Sequence, residues 1–205
     1  MWIVGALILS RYVFFAIYNP PLLEIGEYEP TIAVIVPAKN ESQAIHKTAK
    51  ALHVIDYPAE KLQVILVNDG SDDDTGEWMD RCGQEFGHTV VHMPENRGKR
   101  EAIAEGMTYH NAEITILVDS DSMLEPNAIK EGVRGFYSAK IGAICGHTDV
   151  KNAAVNWLTR MQTQQYFIAF RTFRALEGYF GSVICCSGAF SLYRTEIIRP
   201  MLNVW

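Results

Sequence analysis

The chain has 205 residues, enough for one domain with a sizeable core. Hydrophobic residues make up 48% and charged residues 20%, without low-complexity stretches or internal repeats, which describes a globular protein. A formal charge of −6 supplies no basic face for counterion release, so nucleic acid is excluded as a main partner.

Residues 1–18, MWIVGALILSRYVFFAIY, are apolar apart from Ser10 and Arg11, and Asn19-Pro20-Pro21 stops any helix. The length just reaches a membrane span, but a mid-segment Arg11 costs roughly 2.5–3.5 kcal/mol, which about offsets the surrounding Leu, Ile, Phe and Val. Residues 1–21 are therefore expected to form an apolar helix that lies on or crosses a membrane, with a buried core helix as the competing reading. No basic segment precedes the apolar run and no small-residue cleavage site follows it, which disfavours a signal peptide. Residues 22–30 read as a linker, and residues 31–205 as one α/β domain.

Within that domain, Thr31 to Val36 (TIAVIV) reads as a buried strand that Pro37 should end, since proline cannot continue a central strand. Asn40 or Ser42 is placed to cap a helix over about 43–54. Leu62 to Val67 (LQVILV) is the next strand, and it runs into Asn68-Asp69-Gly70-Ser71. Asp72, Asp73 and Asp74 suit the positive end of a helix dipole, whereas Asp69 sits where a doubly wound sheet has its ligand crevice. A short strand near His88 to His92 precedes Arg97-Gly98-Lys99-Arg100, three cations at a helix start where free N–H groups favour phosphate.

Ile114 to Val118 is a buried strand leading into Asp119-Ser120-Asp121. Alternation along a strand would send positions 119 and 121 to one side, making a hard-oxygen site for Mg2+ or Mn2+; a turn that caps the next helix is the bland reading. A helix is expected from about 125 to 137, and a strand with its continuation over 141–150. A long helical stretch over 152–176 carries Trp157, Met161, Tyr166, Phe167, Phe170 and Phe173 at spacings near three and four, more in keeping with core packing than with a membrane-facing stripe. Residues 178–193 are rich in small side chains, as where backbone passes close to a ligand. Cys82, Cys145, Cys185 and Cys186 lack metal-ligand spacing and read as reduced core thiols of a cytosolic domain. The histidines share no spacing and are assigned neither to a metal nor to catalysis.

Taken in order, VIVPAKNES, VNDGSDDDT, NRGKREAIAEG, VDSDSMLEPNAI and CCSGAFSLYR resemble the processive family-two glycosyltransferases of the GT-A fold, closest to the hyaluronan synthase, chitin synthase and rhizobial chitooligosaccharide synthase branch. The resemblance covers about residues 31–205 and implies a Rossmann-like, mostly parallel central sheet. It implies that Pro37, Ala38, Glu41, Asp69, Lys99 and Ser120 bind the nucleotide-sugar. Glu41 would hold the nucleoside, Asp69 the uracil, and Lys99 the diphosphate with Arg100 beside it. Asp119 and Asp121 match the DxD that binds Mg or Mn, and Cys186, Ser187 and Gly188 match the loop beside the acceptor. Several relatives have Gly-Pro where this chain has Gly188-Ala189. The family's catalytic-base Asp motif and its Gln-x-x-Arg-Trp motif have no counterpart before Trp205, so the chain is expected to be a fragment holding the donor half of the site, poorly active alone.

The implied activity is a membrane-associated, inverting transfer of sugar from a UDP-sugar to a growing β-linked polysaccharide or oligosaccharide, on the cytoplasmic face of the cell membrane. The implied partners are the UDP-sugar, a carbohydrate acceptor and the membrane. Two alternatives stay open: a single-transfer enzyme of the dolichyl-phosphate sugar synthase type, and a nucleotide-binding module without activity. A dinucleotide dehydrogenase is excluded because no strand is followed by G-x-G-x-x-G, and a P-loop is absent.

Overall fold

The computed structural model describes residues 2–150, 153, 155–186 and 189–202. In chain order the elements are α1 (Trp2–Ile17), β1 (Ile32–Ala38), α2 (Ala44–His53), β2 (Leu62–Asp69), α3 (Thr75–Phe86), β3 (Thr89–Met93), α4 (Lys99–Gly106), β4 (Ile114–Val118), α5 (Ala128–Val133), β5 (Ala143–Cys145), α6 (Trp157–Tyr166), α7 (Arg174–Tyr179), β6 (Phe190–Arg194) and α8 (Thr195–Met201). They divide into two units, one of residues 22–144 with 188–205 and one of residues 1–21 with 145–187.

The larger unit is built on a sheet of order β3-β2-β1-β4-β6-β5, in which β1, β2, β3 and β4 run parallel and β6 runs antiparallel to β4. Every residue of β1 and β4 is buried, as expected of apolar runs covered on both faces. The two-residue period of β1 splits the core. Ile32, Val34 and Val36 pack with Ile45, Ala49 and Leu52 of α2, Met79 and Cys82 of α3, and Ile129 and Val133 of α5. Ala33 and Ile35 pack with Ala102 and Ile103 of α4 and Ile198 of α8 on the other face. A Cβ on Gly106 would lie 2.8 Å from Ile35 Cγ2, so glycine lets α4 settle against the sheet.

Several boundaries depart from the sequence expectations. Pro37 lies inside β1 rather than ending it: pairing with β4 stops at Ile35 opposite Leu117, and only the β2 side continues past it. Neither Asn40 nor Ser42 caps α2. Both take left-handed backbone, φ 55° and 44°, and α2 begins after Gln43 without a side-chain cap. The helix α5 is shorter than expected because the chain tightens into i→i+3 turns at Gly135 and Phe136. The strand expected over 141–150 shrinks to the edge strand β5 between Gly142 and Gly146. β6 was not foreseen; it donates from Arg194 N to Gly142 O at 2.9 Å and fills the space between β4 and β5.

His110 is 5% exposed, and its Nδ1 accepts from Ala112 N at 3.2 Å. Burial, reinforced by the Arg199 guanidinium, lowers its pKa from 6.5 to about 4. The unfolded chain therefore binds a proton that the native fold refuses, so this stability is complete above about pH 6.5 and lost as pH falls toward 4, on the order of 3 kcal/mol in all. Urea midpoints should fall steeply across that window, and His110→Asn, which keeps an acceptor at the Nδ1 position, should flatten the fall.

In the smaller unit, α6 continues through a π-helical stretch, Phe167–Phe173, into α7. Asn156 opens the run with a capping box: Thr159 N donates to Asn156 Oδ1 at 3.0 Å, and Asn156 N to Thr159 Oγ1 at 3.1 Å. Arg11 of α1 lies 4.4 Å over the Phe173 ring, and Phe14 meets Tyr179 at 5.0 Å. The aromatic stripe does not pack as a core throughout, because Trp157 and Met161 stay 72% and 56% exposed and Phe167 is also exposed. No helix among the described residues is long and apolar enough to cross a membrane. No described cysteine forms a disulfide, and of the four thiols only Cys82 is a core residue.

Candidate active site

The chain visits β1, β2 and β3 in one direction across the sheet and then places β4 on the far side of β1, so the strand order reverses between β1 and β4. Open α/β sheets hold their ligands outside the strand ends at such a point. Here a cleft of about 400 Å3 opens there, within the size range of small-molecule sites. The end of β1 contributes Pro37, Ala38, Lys39 and Glu41; β2 contributes Asp69; the loop into α4 contributes Asn96, Gly98 and Lys99; and the residues after β4 contribute Asp119, Ser120 and Asp121.

Asp69 is 4% exposed and clamps the far wall: its Oδ1 accepts from Arg97 N at 2.8 Å and its Oδ2 from Gly98 N at 2.9 Å. Such charge-assisted bonds to backbone fix the loop that delivers Lys99. Gly70 follows at φ 57°, and a Cβ there would fall 2.4 Å from both Asn96 N and Glu95 C, so the two loops touch through their backbones. On the near wall Ser120 Oγ donates to Glu41 Oε1 at 2.9 Å, and Thr48 Oγ1 donates to Ser120 O. Lys39 Nζ donates to Gly70 O at 2.9 Å and reaches Asp72 at 3.4 Å.

The diacid is not an extension of β4. The strand ends at Val118, and Ser122 N closes a turn onto Asp119 O at 3.0 Å, so strand alternation does not determine where Asp119 and Asp121 point. The turn nevertheless sets both carboxylates along the cleft. Lys99 Nζ donates to Asp119 Oδ1, so this carboxylate already takes a cation. Two hard-oxygen donors beside an open cleft fit a divalent ion whose coordination is completed by water and phosphate. No group of three or more His, Cys, Asp and Glu that could hold a metal ion is found among the described residues.

The three cations around Gly98 do not act together. Arg97 and Arg100 both pair with Glu101, at 3.4 and 3.1 Å, and Lys99 is the one that lines the cleft. The acidic triplet is spent on structure, since Asp72 meets Lys39, Asp73 accepts from Thr75 and Ser42, and Asp74 accepts from Trp78 Nε1. Of the expected acceptor residues, Cys186 belongs to the smaller unit, while Ser187 and Gly188 lie outside the described residues. Lys39 and Asn96 line the cleft without having been given roles of their own, and Gly98 lines it as part of the loop expected to favour phosphate. Lys39, a charge just past a buried strand, was the one the sequence could have flagged.

A family model described as Glycosyl transferase family 2 matches residues 33–202. Hyaluronan synthase of Streptococcus pyogenes is 32% identical over 179 residues, covering 84% of this chain and 42% of that protein. An N-acetylglucosaminyltransferase of Rhizobium leguminosarum bv. viciae is 32% identical over 179 residues, covering 85% and 41%. The chain thus spans less than half the length of these curated relatives. Among solved structures, the mannosyltransferase PcManGT from Pyrobaculum calidifontis in complex with GDP-Man and Mn2+ superposes with a TM-score of 0.79 at 21% identity, over 97% of this chain and 55% of that one. S. aureus TarS 1-349 in complex with UDP-GlcNAc gives 0.60 at 18% identity, over 83% and 47%. The shared architecture is the GT-A fold, α/β with a mixed, mostly parallel sheet.

Proposed function

We propose, from the premise that this chain belongs to glycosyl transferase family 2, that its cleft binds a UDP-sugar with Mg2+ or Mn2+ for inverting transfer to a carbohydrate acceptor, extending a β-linked polysaccharide or oligosaccharide of the hyaluronan or chitin type. The observation that carries the reading is the meeting of Lys99, Asp119 and Asp121 in one cleft with Glu41 and Asp69. The similarity to hyaluronan synthase and N-acetylglucosaminyltransferase supports the product class.

Sugar transfer leaves a diphosphate whose charge grows in the transition state, and groups already aimed at it lower the barrier most. The Lys99 ammonium, carried at the start of α4, is the chain's own group for that charge. Asp119 and Asp121 would hold the divalent ion, which supplies Lewis-acid stabilisation of the diphosphate oxygens. Asp69 orders the loop before Lys99 and keeps lone pairs for the base, while Glu41, tied to Ser120, borders the nucleoside end. The segment around Cys186 is assigned to the acceptor. Residues 1–21 are assigned to the cell membrane, with the α/β domain on its cytoplasmic face; the apolar sequence of residues 1–21 and the exposed Ile8, Leu9, Val13 and Ile17 support the membrane contact.

Titration of UDP in manganese chloride tests the binding half. EDTA should weaken UDP about tenfold or more, and Lys99→Ala should cost a similar factor, as for a charge-assisted hydrogen bond, while leaving uridine unaffected. UDP binding indifferent to both would refute the reading. Sizing the product made from radiolabelled UDP-sugars separates polymer synthesis from a single transfer.

A further inference from the structure

Glu41 reaches the cleft from a stretch of backbone that should not hold its shape unaided. Its neighbours Asn40 and Ser42 both sit in the left-handed region, at φ 55° and 44°, where a residue with a Cβ pays roughly 1–2 kcal/mol. Such backbone persists only where its surroundings over-determine it. Those surroundings come from the segment after β2. Asn40 N donates to Ser71 Oγ at 3.0 Å, Asp72 N donates to Asn40 Oδ1 at 2.9 Å, and Ser42 Oγ donates to Asp73 Oδ2 at 2.7 Å.

These three contacts are exposed, but the one beneath them is not. Thr75, the first residue of α3, is 0% exposed, and its Oγ1 accepts from both Glu41 N and Ser42 N at 2.8 Å while donating to Asp73 Oδ1. One hydroxyl thus fills its whole hydrogen-bonding capacity, spending both lone pairs on the two peptide N–H groups that aim Glu41 and its proton on Asp73. Glu41 in turn meets Ser120, which sits between the two carboxylates of the turn after β4.

We propose that Thr75 is a positioning residue for the nucleotide-sugar cleft: through its buried hydroxyl it holds the amides of Glu41 and Ser42, between the left-handed Asn40 and Ser42, and so places the Glu41 carboxylate beside Ser120. Thr75 does not line the cleft, so it acts through the backbone that carries Glu41. The inference rests on the reading of the cleft as a UDP-sugar site.

Thr75→Val keeps the shape and removes the acceptor; Thr75→Ser keeps the hydroxyl. UDP is titrated in manganese chloride into each form, well below its own melting temperature. Thr75→Val should raise the UDP dissociation constant about tenfold, and Thr75→Ser should stay within about twofold of wild type. A purely structural threonine would lower the melting temperature of Thr75→Val and leave its affinity unchanged, and that result overturns the proposal. Should Thr75→Val not fold by circular dichroism, Thr75→Cys, whose sulfur fills the site but accepts weakly, decides in the same titration, with wild-type affinity again overturning it. Absence of UDP binding by the wild-type protein would overturn the functional reading and the proposal with it, whereas wild-type binding matched by Thr75→Val overturns the proposal alone.

Discussion

In the full-length protein, Asp121→Ala is expected to lower sugar transfer by roughly 10²–10³-fold, the cost typical of deleting one preorganised group that stabilises transition-state charge. The residue lies exposed in the turn after β4, and no hydrogen bond to it holds the fold among those described, so melting temperature should barely change. Incorporation of radiolabelled sugar into product, measured over a range of manganese concentrations, checks the expectation. Loss of transfer that added manganese partly restores would place the defect in ion binding, and undiminished transfer would remove Asp121 from the chemistry.

Gly70→Ala should be the most damaging small change to the fold near the cleft. At φ 57° any side chain is strained, and the new methyl carbon would fall 2.4 Å from backbone atoms of both Glu95 and Asn96. Neither wall is a flexible side chain that can swing aside. Left-handed strain and overpacking together amount to about 3 kcal/mol, or a fall in melting temperature of roughly 10 °C for a domain of this size. Because the loop that must yield also carries Gly98 and Lys99, UDP affinity should fall with it. Thermal denaturation and UDP titration of the same preparation measure both effects, and a variant that melts with wild type would show that the two loops do not touch.

The strands β1, β2 and β4 were legible because they are apolar runs, and a strand buried on both faces leaves no other pattern in sequence. The acids at the strand ends were legible for the same reason: charge next to such a run stands out. What the sequence concealed is mostly nonlocal. Pro37 stays in its strand because the neighbour on one side has already ended, a fact about β4 that nothing near position 37 records. β6 hides in a run of small residues, and only its pairing with β4 identifies it. Arg97 and Arg100 look like phosphate ligands until Glu101 is seen to hold both. Thr75 lies more than thirty residues from the amides it serves, so no motif scan along the chain would mark it.

The position of β6 constrains how the protein can be made. A ribosome delivers β1 to β4 first, yet the remaining two strands wait for residues near 190, since β5 borders β6 and has no place beside β4. Throughout that interval the nascent β4 presents a bare row of amide and carbonyl groups, a template for misplaced strands or a second chain. Ser191 and Leu192, both wholly buried, close it on arrival. Truncation upstream of Phe190 would make that transient exposure permanent, giving insoluble protein even though every cleft-lining residue had already been synthesised.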